Sequence, residues 1–203
     1  MTDEPPEQRL EERARRIIES TIELAEEGGF EAVRLRDVAA RAEVAMGTLY
    51  RRFHSKEDLL VAALEQETRR MEERVRQRPP KGGTASERAI SFFVIATRGM
   101  LRRPNLSRAM LKAAAAGEPA LARKVGLFHD MTRRMIVGAL RGEPFLPGDG
   151  TMTERERLLG DVLNQIWFAV MIGWSGGLET QVSIHDRMRA SVELIVNETK
   201  REH

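Results

Sequence analysis

Apolar residues recur at helical spacing through most of the chain, and the strict alternation typical of strands is almost absent. Between Leu10 and Ala25 they fall on one face of a helix, which predicts an amphipathic helix with a buried stripe. Gly28 and Gly29 follow and are expected to end this helix, because glycine tolerates the left-handed conformation found at helix C-termini.

Two short helices are predicted next, over residues 36–42 and 46–53, with a tight turn at residues 43–45. A long helix then extends to about residue 76. Its start, Ser55-Lys56-Glu57-Asp58, resembles a capping box in which Asp replaces the usual Glu. The run Pro79-Pro80-Lys81-Gly82-Gly83 is expected to break the helix, since proline and glycine are the strongest helix breakers.

Five further helical segments follow, separated by Pro104, by Gly117-Glu118-Pro119 and by a stretch rich in glycine and proline at residues 142–150. They are predicted near 85–102, 105–116, 119–141, 153–176 and 184–201. The pattern therefore predicts an all-α fold in two parts. A three-helix head, residues 1–55, is joined by a connecting helix, residues 56–76, to a helical body, so that the second domain covers residues 56–203.

The composition excludes several classes of function. The 203 residues are 41% hydrophobic and 32% charged and include no cysteine, which rules out disulfides, thiolate nucleophiles and cysteine-bound metals. The four histidines are isolated, and no glycine-rich phosphate loop is present. We therefore expect no cofactor, no metal and no enzyme activity. The acidic start and the lack of a long apolar run lead us to expect a cytoplasmic protein without a membrane segment.

Charge is distributed unevenly over the N-terminal quarter. Residues 1–33 carry four arginines against ten acids, whereas residues 34–56 carry six basic residues against two acids. A local basic segment is typical of a small nucleic-acid contact surface. An uneven solvated surface without a partner is the alternative on charge alone.

The decisive segment is residues 35–56, LRDVAARAEVAMGTLYRRFHSK. Two short helices joined by a tight turn are what a helix-turn-helix requires, because the second helix must enter the DNA major groove. Gly47 is small enough for close approach of the backbone to DNA. Donors for phosphates and bases come from Tyr50, Arg51, Arg52, His54 and Lys56. A solvated helical hairpin that contacts nothing remains the alternative from spacing alone.

The run Gly47-Thr48-Leu49-Tyr50-Arg51-Arg52-Phe53-His54-Ser55-Lys56-Glu57-Asp58-Leu59-Leu60 resembles the signature of the TetR family of bacterial transcriptional regulators. The resemblance covers roughly 50 residues and implies a helix-turn-helix head on a ligand-binding and dimerisation body. One departure is Glu43, where the family commonly has glycine. We expect this residue either to strain the turn or to relax its left-handed geometry.

The resemblance also assigns roles in DNA binding. Tyr50, Arg52 and Lys56 match positions that contact phosphates. Arg36 matches a position that often reaches guanine through a bidentate contact. The exposed start and outer face of the recognition helix would be formed by Met46, Gly47, Thr48 and Arg51. Val38, Leu49 and Phe53 are expected in the core.

The last two helices are apolar on more than one side. A surface helix of a monomer needs only one apolar stripe, so a second stripe predicts a partner. In the family these helices pair with their twofold mates in a four-helix bundle, and a twofold dimer fits a palindromic operator. The predicted dimer interface comprises Leu159, Val162, Ile166, Val170, Met188, Val192, Ile195 and Val196. Two helices that are simply central in the body are the alternative.

Large and flexible apolar side chains in the body are candidates for the lining of a ligand pocket. They are Phe92, Phe93, Ile95, Met100, Met110, Phe128, Met131, Met135, Trp167, Met171 and Trp174. For each single residue a packed core is the better explanation, whereas the set as a whole, in this family, favours some of them lining a pocket. The body further resembles the actinobacterial repressors of steroid (cholesterol) catabolism, which implies a steroid-derived coenzyme A thioester whose phosphates could use Arg102, Arg103, Arg108 or Arg133. Solvated helix faces explain these arginines equally well.

Together these features predict a homodimeric repressor that holds a palindromic double-stranded DNA operator and leaves it when a small hydrophobic inducer binds. An architectural or activating DNA-binding protein without an inducer is the alternative.

Overall fold

A computed structural model describes residues 6–143 and 151–198, and every regular element in these two ranges is a helix. The predicted all-α fold is confirmed. Nine α-helices are described, with a 3₁₀ turn at Pro119–Leu121 before α7. In chain order they are α1 Pro6–Ala32, α2 Leu35–Arg41, α3 Met46–Tyr50, α4 Lys56–Gln77, α5 Ala85–Leu101, α6 Pro104–Ala114, α7 Ala122–Arg141, α8 Glu154–Ser175 and α9 Gln181–Glu198.

The helix boundaries differ from the sequence-based prediction by one to a few residues at most helix ends, and three of these differences are notable. Gly29, with φ 68°, interrupts α1 as expected, but one further helical turn follows it to Ala32. The recognition helix α3 ends at Tyr50, although the N–H of Phe53 still donates to the Leu49 carbonyl at 2.9 Å. The predicted helix 119–141 begins with a 3₁₀ turn, which is common at helix N-termini. Residues 1–5, residues 144–150 and the end of the last predicted helix, 199–201, lie outside the described residues, as does His203.

Backbone contacts divide the chain into two compact units. The first contains the residues up to Glu65 together with Arg103–Lys124, and the second contains Gln66–Arg102 and the residues from Val125 onward. The helix α6 therefore belongs with the N-terminal helices, which the sequence pattern did not indicate. The boundary between DNA-binding and ligand-binding domains at residues 55 and 56 stays a prediction.

In the first unit α1 packs against α6 and α2, and α2 packs against α3. Two polar contacts join the start of α6 to α1: Arg103 Nε donates to Glu26 Oε2 at 3.0 Å, and Asn105 Nδ2 donates to the Glu26 carbonyl at 3.0 Å. Most of the apolar stripe predicted for α1 is buried, with Ile17 and Ala25 almost fully covered, whereas Leu10 at its start is exposed. The stripe thus packs α1 into the head.

In the second unit α9 packs against α5 and α8. Trp167 of α8 is fully buried, and its Nε1 donates to Thr97 Oγ1 of α5 at 3.0 Å. Gly160 permits a close approach of α8 to α7, because a Cβ atom there would lie 2.9 Å from Arg133 Cγ and 3.0 Å from Val137 Cγ2. These contacts tie α5, α7, α8 and α9 into one core.

Candidate functional site

The turn of the helix-turn-helix keeps a left-handed residue although no glycine is present. Glu43 has φ 53°. The N–H of Val44 donates to the Ala39 carbonyl at 3.0 Å, and the N–H of Glu43 donates to the Ala40 carbonyl at 3.2 Å. This pair of bonds is a Schellman motif, in which the left-handed position usually belongs to glycine. Of the two sequence-based expectations for this departure, the strained turn is therefore the one observed.

The recognition segment, residues 35–56, contains a buried and an exposed set of side chains. Val38, Leu49 and Phe53 are buried, as predicted, and anchor α2 and α3 in the head. Of the predicted DNA-contacting residues, three are half-buried, Met46, Thr48 and Lys56, and Tyr50 exposes 50% of its surface. The exposed ones also include Arg36, Gly47, Arg51 and Arg52.

Lys56 is half-buried in a cluster with Phe30, Glu31 and Lys112. Its Nζ lies 3.3 Å from Glu31 Oε2 and 3.9 Å from the centre of the Phe30 ring. Lys112 of α6 approaches the same two residues, at 3.2 Å from Glu31 Oε1 and 4.0 Å from the ring centre. Hydrogen bonds from Lys112 and Lys56 lower the pKa of Glu31. The predicted contact of Lys56 with a DNA phosphate would therefore compete with the Glu31 carboxylate.

Asp58 fixes the junction between α3 and α4. It is buried, its N–H donates to Ser55 Oγ at 3.0 Å, and its Oδ2 accepts from the N–H of His54 at 3.1 Å. The serine half of the predicted capping box is therefore present, whereas the carboxylate reaches one residue further back than expected. Lys124, at the start of α7, pairs with the other carboxylate oxygen.

A groove of about 760 Å³ lies beside the recognition helix. It brings together three of the predicted DNA-contacting residues, Thr48, Arg51 and Arg52, and adds Arg13 of α1, which the sequence analysis did not single out. Arg36 does not line this groove. Arg13 could have been found from the charge pattern of α1, because its neighbours three and four positions away include no acid, so no helical ion pair is available to it.

The predicted pocket residues of the second unit are mostly core residues. Trp167, Met171, Phe92 and Phe93 are almost fully covered, whereas Ile95 and Met100 are half-buried. Met110 lies on α6 and belongs to the first unit. The remaining predicted lining residues are also buried: Phe128, Met131, Met135 and Trp174.

A polar pair interrupts this apolar core between α7 and α8. Asn164 exposes 1% of its surface, and its Nδ2 lies 2.9 Å from Nδ1 of His129. Its Oδ1 is buried and has no hydrogen-bond partner among the described residues. Burial lowers the pKa of His129, which favours the neutral imidazole that can accept from Asn164. Sequence periodicity gave no signal for this pair, because His129 and Asn164 are 35 positions apart and their contact depends on how two helices pack.

Arg103 and Arg133, both suggested for ligand phosphates, have carboxylate partners. Arg133 exposes 9% of its surface and donates to Asp130 Oδ1 at 2.8 Å and to Asp161 Oδ1 at 2.9 Å. Arg103 is paired with Glu26. Arg102 and Arg108 are exposed. A buried ion pair resists the loss of one partner, so the structure favours a structural role for Arg133.

Burial corrects part of the predicted dimer interface. Met188, Val192 and Val196 expose 1%, 0% and 6% of their surfaces, because this face of α9 packs within the second unit. They are not available to a second copy. Five predicted interface side chains remain partly exposed: Leu159, Val162, Ile166, Val170 and Ile195. Three further apolar side chains of α8 and α9 are exposed, Leu158, Val182 and Leu194, by 64%, 68% and 60%.

Neither a metal site nor a membrane span emerges from the described ranges. Within residues 6–143 and 151–198 no three His, Cys, Asp or Glu side chains come together as metal ligands. None of the helices in these ranges is both long and apolar enough to cross a bilayer.

Comparison with known proteins identifies relatives over most of the chain. The family model for bacterial regulatory proteins of the tetR family matches residues 17–63, and the tetracyclin repressor-like C-terminal domain matches residues 82–195. The HTH-type transcriptional repressor KstR of Rhodococcus jostii (strain RHA1) is 33% identical over 190 residues, which cover 94% of this chain and 85% of that protein.

Solved structures show the same architecture. A TetR transcriptional regulator from Rhodococcus sp. RHA1 has a TM-score of 0.80 at 31% identity, covering 93% of this chain and 96% of that one. Thermus thermophilus FadR, a TetR family repressor in complex with lauroyl-CoA, has a TM-score of 0.71 at 20% identity, covering 90% and 93%. This second likeness concerns the fold alone. The chain belongs to the TetR family of bacterial regulatory proteins and is a DNA-binding transcriptional regulator with a helix-turn-helix head.

Proposed function

We propose that the protein is a homodimeric repressor that holds a palindromic operator and releases it when a hydrophobic small molecule binds the second unit. The observation that carries the proposal is the division of the recognition segment. Leu49 and Phe53 anchor it in the core, while Tyr50, Arg51 and Arg52 stay exposed. Apolar anchors with exposed donors are what a helix needs to reach phosphates and base edges in a major groove.

The proposed roles of individual DNA contacts follow the family positions. Tyr50, Arg52 and Lys56 contact phosphates, and Arg36 contacts a guanine. Met46, Gly47, Thr48 and Arg51 form the rest of the surface towards the operator. Phosphate contacts position the head without reading sequence, whereas a bidentate guanine contact discriminates between bases.

The proposed ligand is apolar over most of its surface and carries one polar group for Asn164. A buried Oδ1 without a partner is costly unless something donates to it, and a ligand hydroxyl or amide would supply that donor. The flexible methionines and aromatic rings of the second unit suit an adaptable apolar pocket. A steroid-derived coenzyme A thioester is the first compound to test, and lauroyl-CoA, which is bound in the Thermus protein, is the second.

The proposed dimer uses the surfaces that α8 and α9 leave uncovered. Leu158, Val162, Ile166 and Val170 follow one another at intervals of four along α8 and retain surface. Such a stripe on a helix predicts a partner helix, and a twofold axis through it would place two identical heads on a palindrome.

The proposed release mechanism relies on α4, which is one continuous helix from the first unit into the second. A ligand that prefers a conformation with α4 displaced disfavours the operator-bound form. Linkage requires the operator to weaken ligand binding by the same factor, typically corresponding to about 1–3 kcal/mol.

The test begins with an operator duplex selected from random sequence by the purified protein. Each thioester is titrated against the labelled complex, and its affinity for free and operator-bound protein is measured while light scattering follows the dimer mass. We expect release of the duplex without dissociation of the dimer. Equal ligand affinity for the free and the bound protein would contradict the mechanism. Failure to select any sequence would support the architectural alternative.

A variant tests the ligand site separately. Asn164→Leu should weaken release by roughly 5- to 150-fold, since a hydrogen bond to a buried amide is worth about 1–3 kcal/mol, and should leave operator affinity unchanged. Thr132→Val is the matched control, because Thr132 is also fully buried but donates to the Phe128 carbonyl of its own helix.

A further inference from the structure

The groove beside the recognition helix has one wall from α1 and one from the recognition segment. Leu10 and Ala14 give α1 an apolar surface, and Arg13 stands between them. Thr48 of α3 lines the opposite side with Arg51. The groove lies wholly within the first unit and is continuous with the residues proposed to face DNA.

The arginines of this groove differ from other arginines of the head in their partners. Arg15, also on α1, donates to Glu12 and Glu19, the latter at 2.9 Å, and Arg41 donates to Glu27 at 2.6 Å. Among the side chains that the structure describes, none offers a carboxylate to Arg13 or Arg52. The guanidinium of Arg51 donates to the hydroxyl of Thr48 at 3.3 Å. The groove is thus lined by three cations that no described acid neutralises.

The shape and chemistry of the groove specify its occupant. Three uncompensated guanidinium groups on one surface favour a partner with several negative charges. The apolar wall of Leu10, which exposes 51% of its surface, suits carbon-rich groups between those charges. A strand of DNA offers both, because phosphates alternate with deoxyribose rings along it.

We infer that the groove binds the sugar–phosphate backbone of one operator strand, and that Arg13 of α1 is a DNA-positioning residue alongside Arg51 and Arg52. The inference rests on the proposed function and extends it to a helix outside the helix-turn-helix. Arg13 contacts phosphate and reads no bases, so its contribution is the same on every sequence.

The experiment measures affinity of the full-length protein for the selected operator and for a random duplex of equal length, between about 50 and 200 mM salt. Arg13→Ala should weaken both complexes by a similar factor of roughly three to ten. It should also lower the salt slope by about one, because one phosphate contact is lost. Arg13→Lys should retain most of that slope.

Arg15→Ala is the matched control, since it removes the same charge from the same helix but from an arginine already paired with two carboxylates. Single methylphosphonate substitutions in the duplex then locate the contact: at one position the difference between wild type and Arg13→Ala should vanish. The inference is overturned if Arg13→Ala and Arg15→Ala have the same DNA affinity and the same salt slope on DNA that the wild type binds. It is also overturned if Arg13→Ala changes lauroyl-CoA uptake and leaves DNA binding intact. Absence of DNA binding by the wild type would instead refute the proposed function.

Discussion

Glu43 adopts a backbone conformation that is costly for any residue with a Cβ atom. At φ 53° the cost is roughly 1 kcal/mol or somewhat more relative to glycine. The same Schellman geometry ends α8, where the left-handed position is Gly177, with φ 82° and no heavy atom within 4 Å of the place a Cβ would take. The two sites therefore form a natural pair for measuring this strain.

We predict that Glu43→Gly raises the free energy of unfolding by about 0.5–1 kcal/mol, part of the strain relief being offset by the greater freedom of glycine in the unfolded chain. Gly177→Ala should lower it by about 1 kcal/mol. Glu43→Ala removes the long contact to Arg16 at 3.9 Å but keeps the Cβ atom, so it should bring no gain. Urea unfolding of the three variants provides the measurement. A Glu43→Gly protein less stable than wild type would show that the turn is held by the glutamate side chain.

At the scale of helices, Glu156 joins α7 to the start of α8. Its carboxylate accepts from Arg141 at 2.6 Å and caps the helix through the N–H of Thr153 at 2.8 Å. The hydrogen bond from Arg141, followed by the bonds from Thr153, lowers the pKa of Glu156 to about 2. The folded-state pKa is thus below the ordinary glutamate value of 4.5. Stability from this group is therefore present above pH 4.5 and is lost as pH falls towards 2.

We predict that Glu156→Gln lowers the free energy of unfolding by about 1 kcal/mol near neutral pH, a typical value for a lost cap. The difference from wild type should shrink as pH falls from about 4.5 to 2, where the wild-type carboxylate is itself protonated. Denaturant unfolding at several pH values measures this. In an Arg141→Gln background the effect should be smaller. A difference that stays constant down to pH 2 would contradict the assigned cause.

Helix positions were largely predictable because apolar spacing and glycine or proline breaks are local signals. The Gly28-Gly29 break and the capping serine at residue 55 were found in this way. The association of α6 with α1 was not, since Arg103 and Glu26 are 77 positions apart and no local pattern records such a pair. The same reason hid Asn164 and His129, whose contact depends on how α7 and α8 pack.

At the scale of the whole molecule, the dimer surface shows a second limit of sequence reasoning. An apolar helix face predicts that the face is buried. It does not predict whether another helix of the same chain or a second copy covers it. Val192 and Ile166 both looked suited to a second copy, yet Val192 is covered within its own chain whereas Ile166 retains surface. Three-dimensional packing is needed to decide between the two, and it confines the proposed interface mainly to α8.

We predict that Ile166→Glu dissociates the dimer, because a carboxylate buried between two copies without a partner is strongly unfavourable. Light scattering should then report a folded monomer, and affinity for the palindromic operator should fall much further than affinity for a half-site. Leu127→Glu is the control, since Leu127 is exposed by 42% on α7, outside the proposed interface. A stable dimer of the Ile166→Glu protein would place the interface elsewhere.

The first unit is assembled from two separate stretches of sequence. This arrangement constrains which parts of the gene can be exchanged by recombination. A recombination event joined at a single point near residue 65 would deliver α1, α2 and α3 without α6, the helix that packs against α1. The hybrid would lose the Arg103–Glu26 and Lys112–Glu31 pairs unless the recipient happened to restore them. New operator preferences in this lineage should therefore arise by point substitution at exposed residues such as Arg36. Exchange of whole heads would succeed only when a second crossover carries residues 103–124 along.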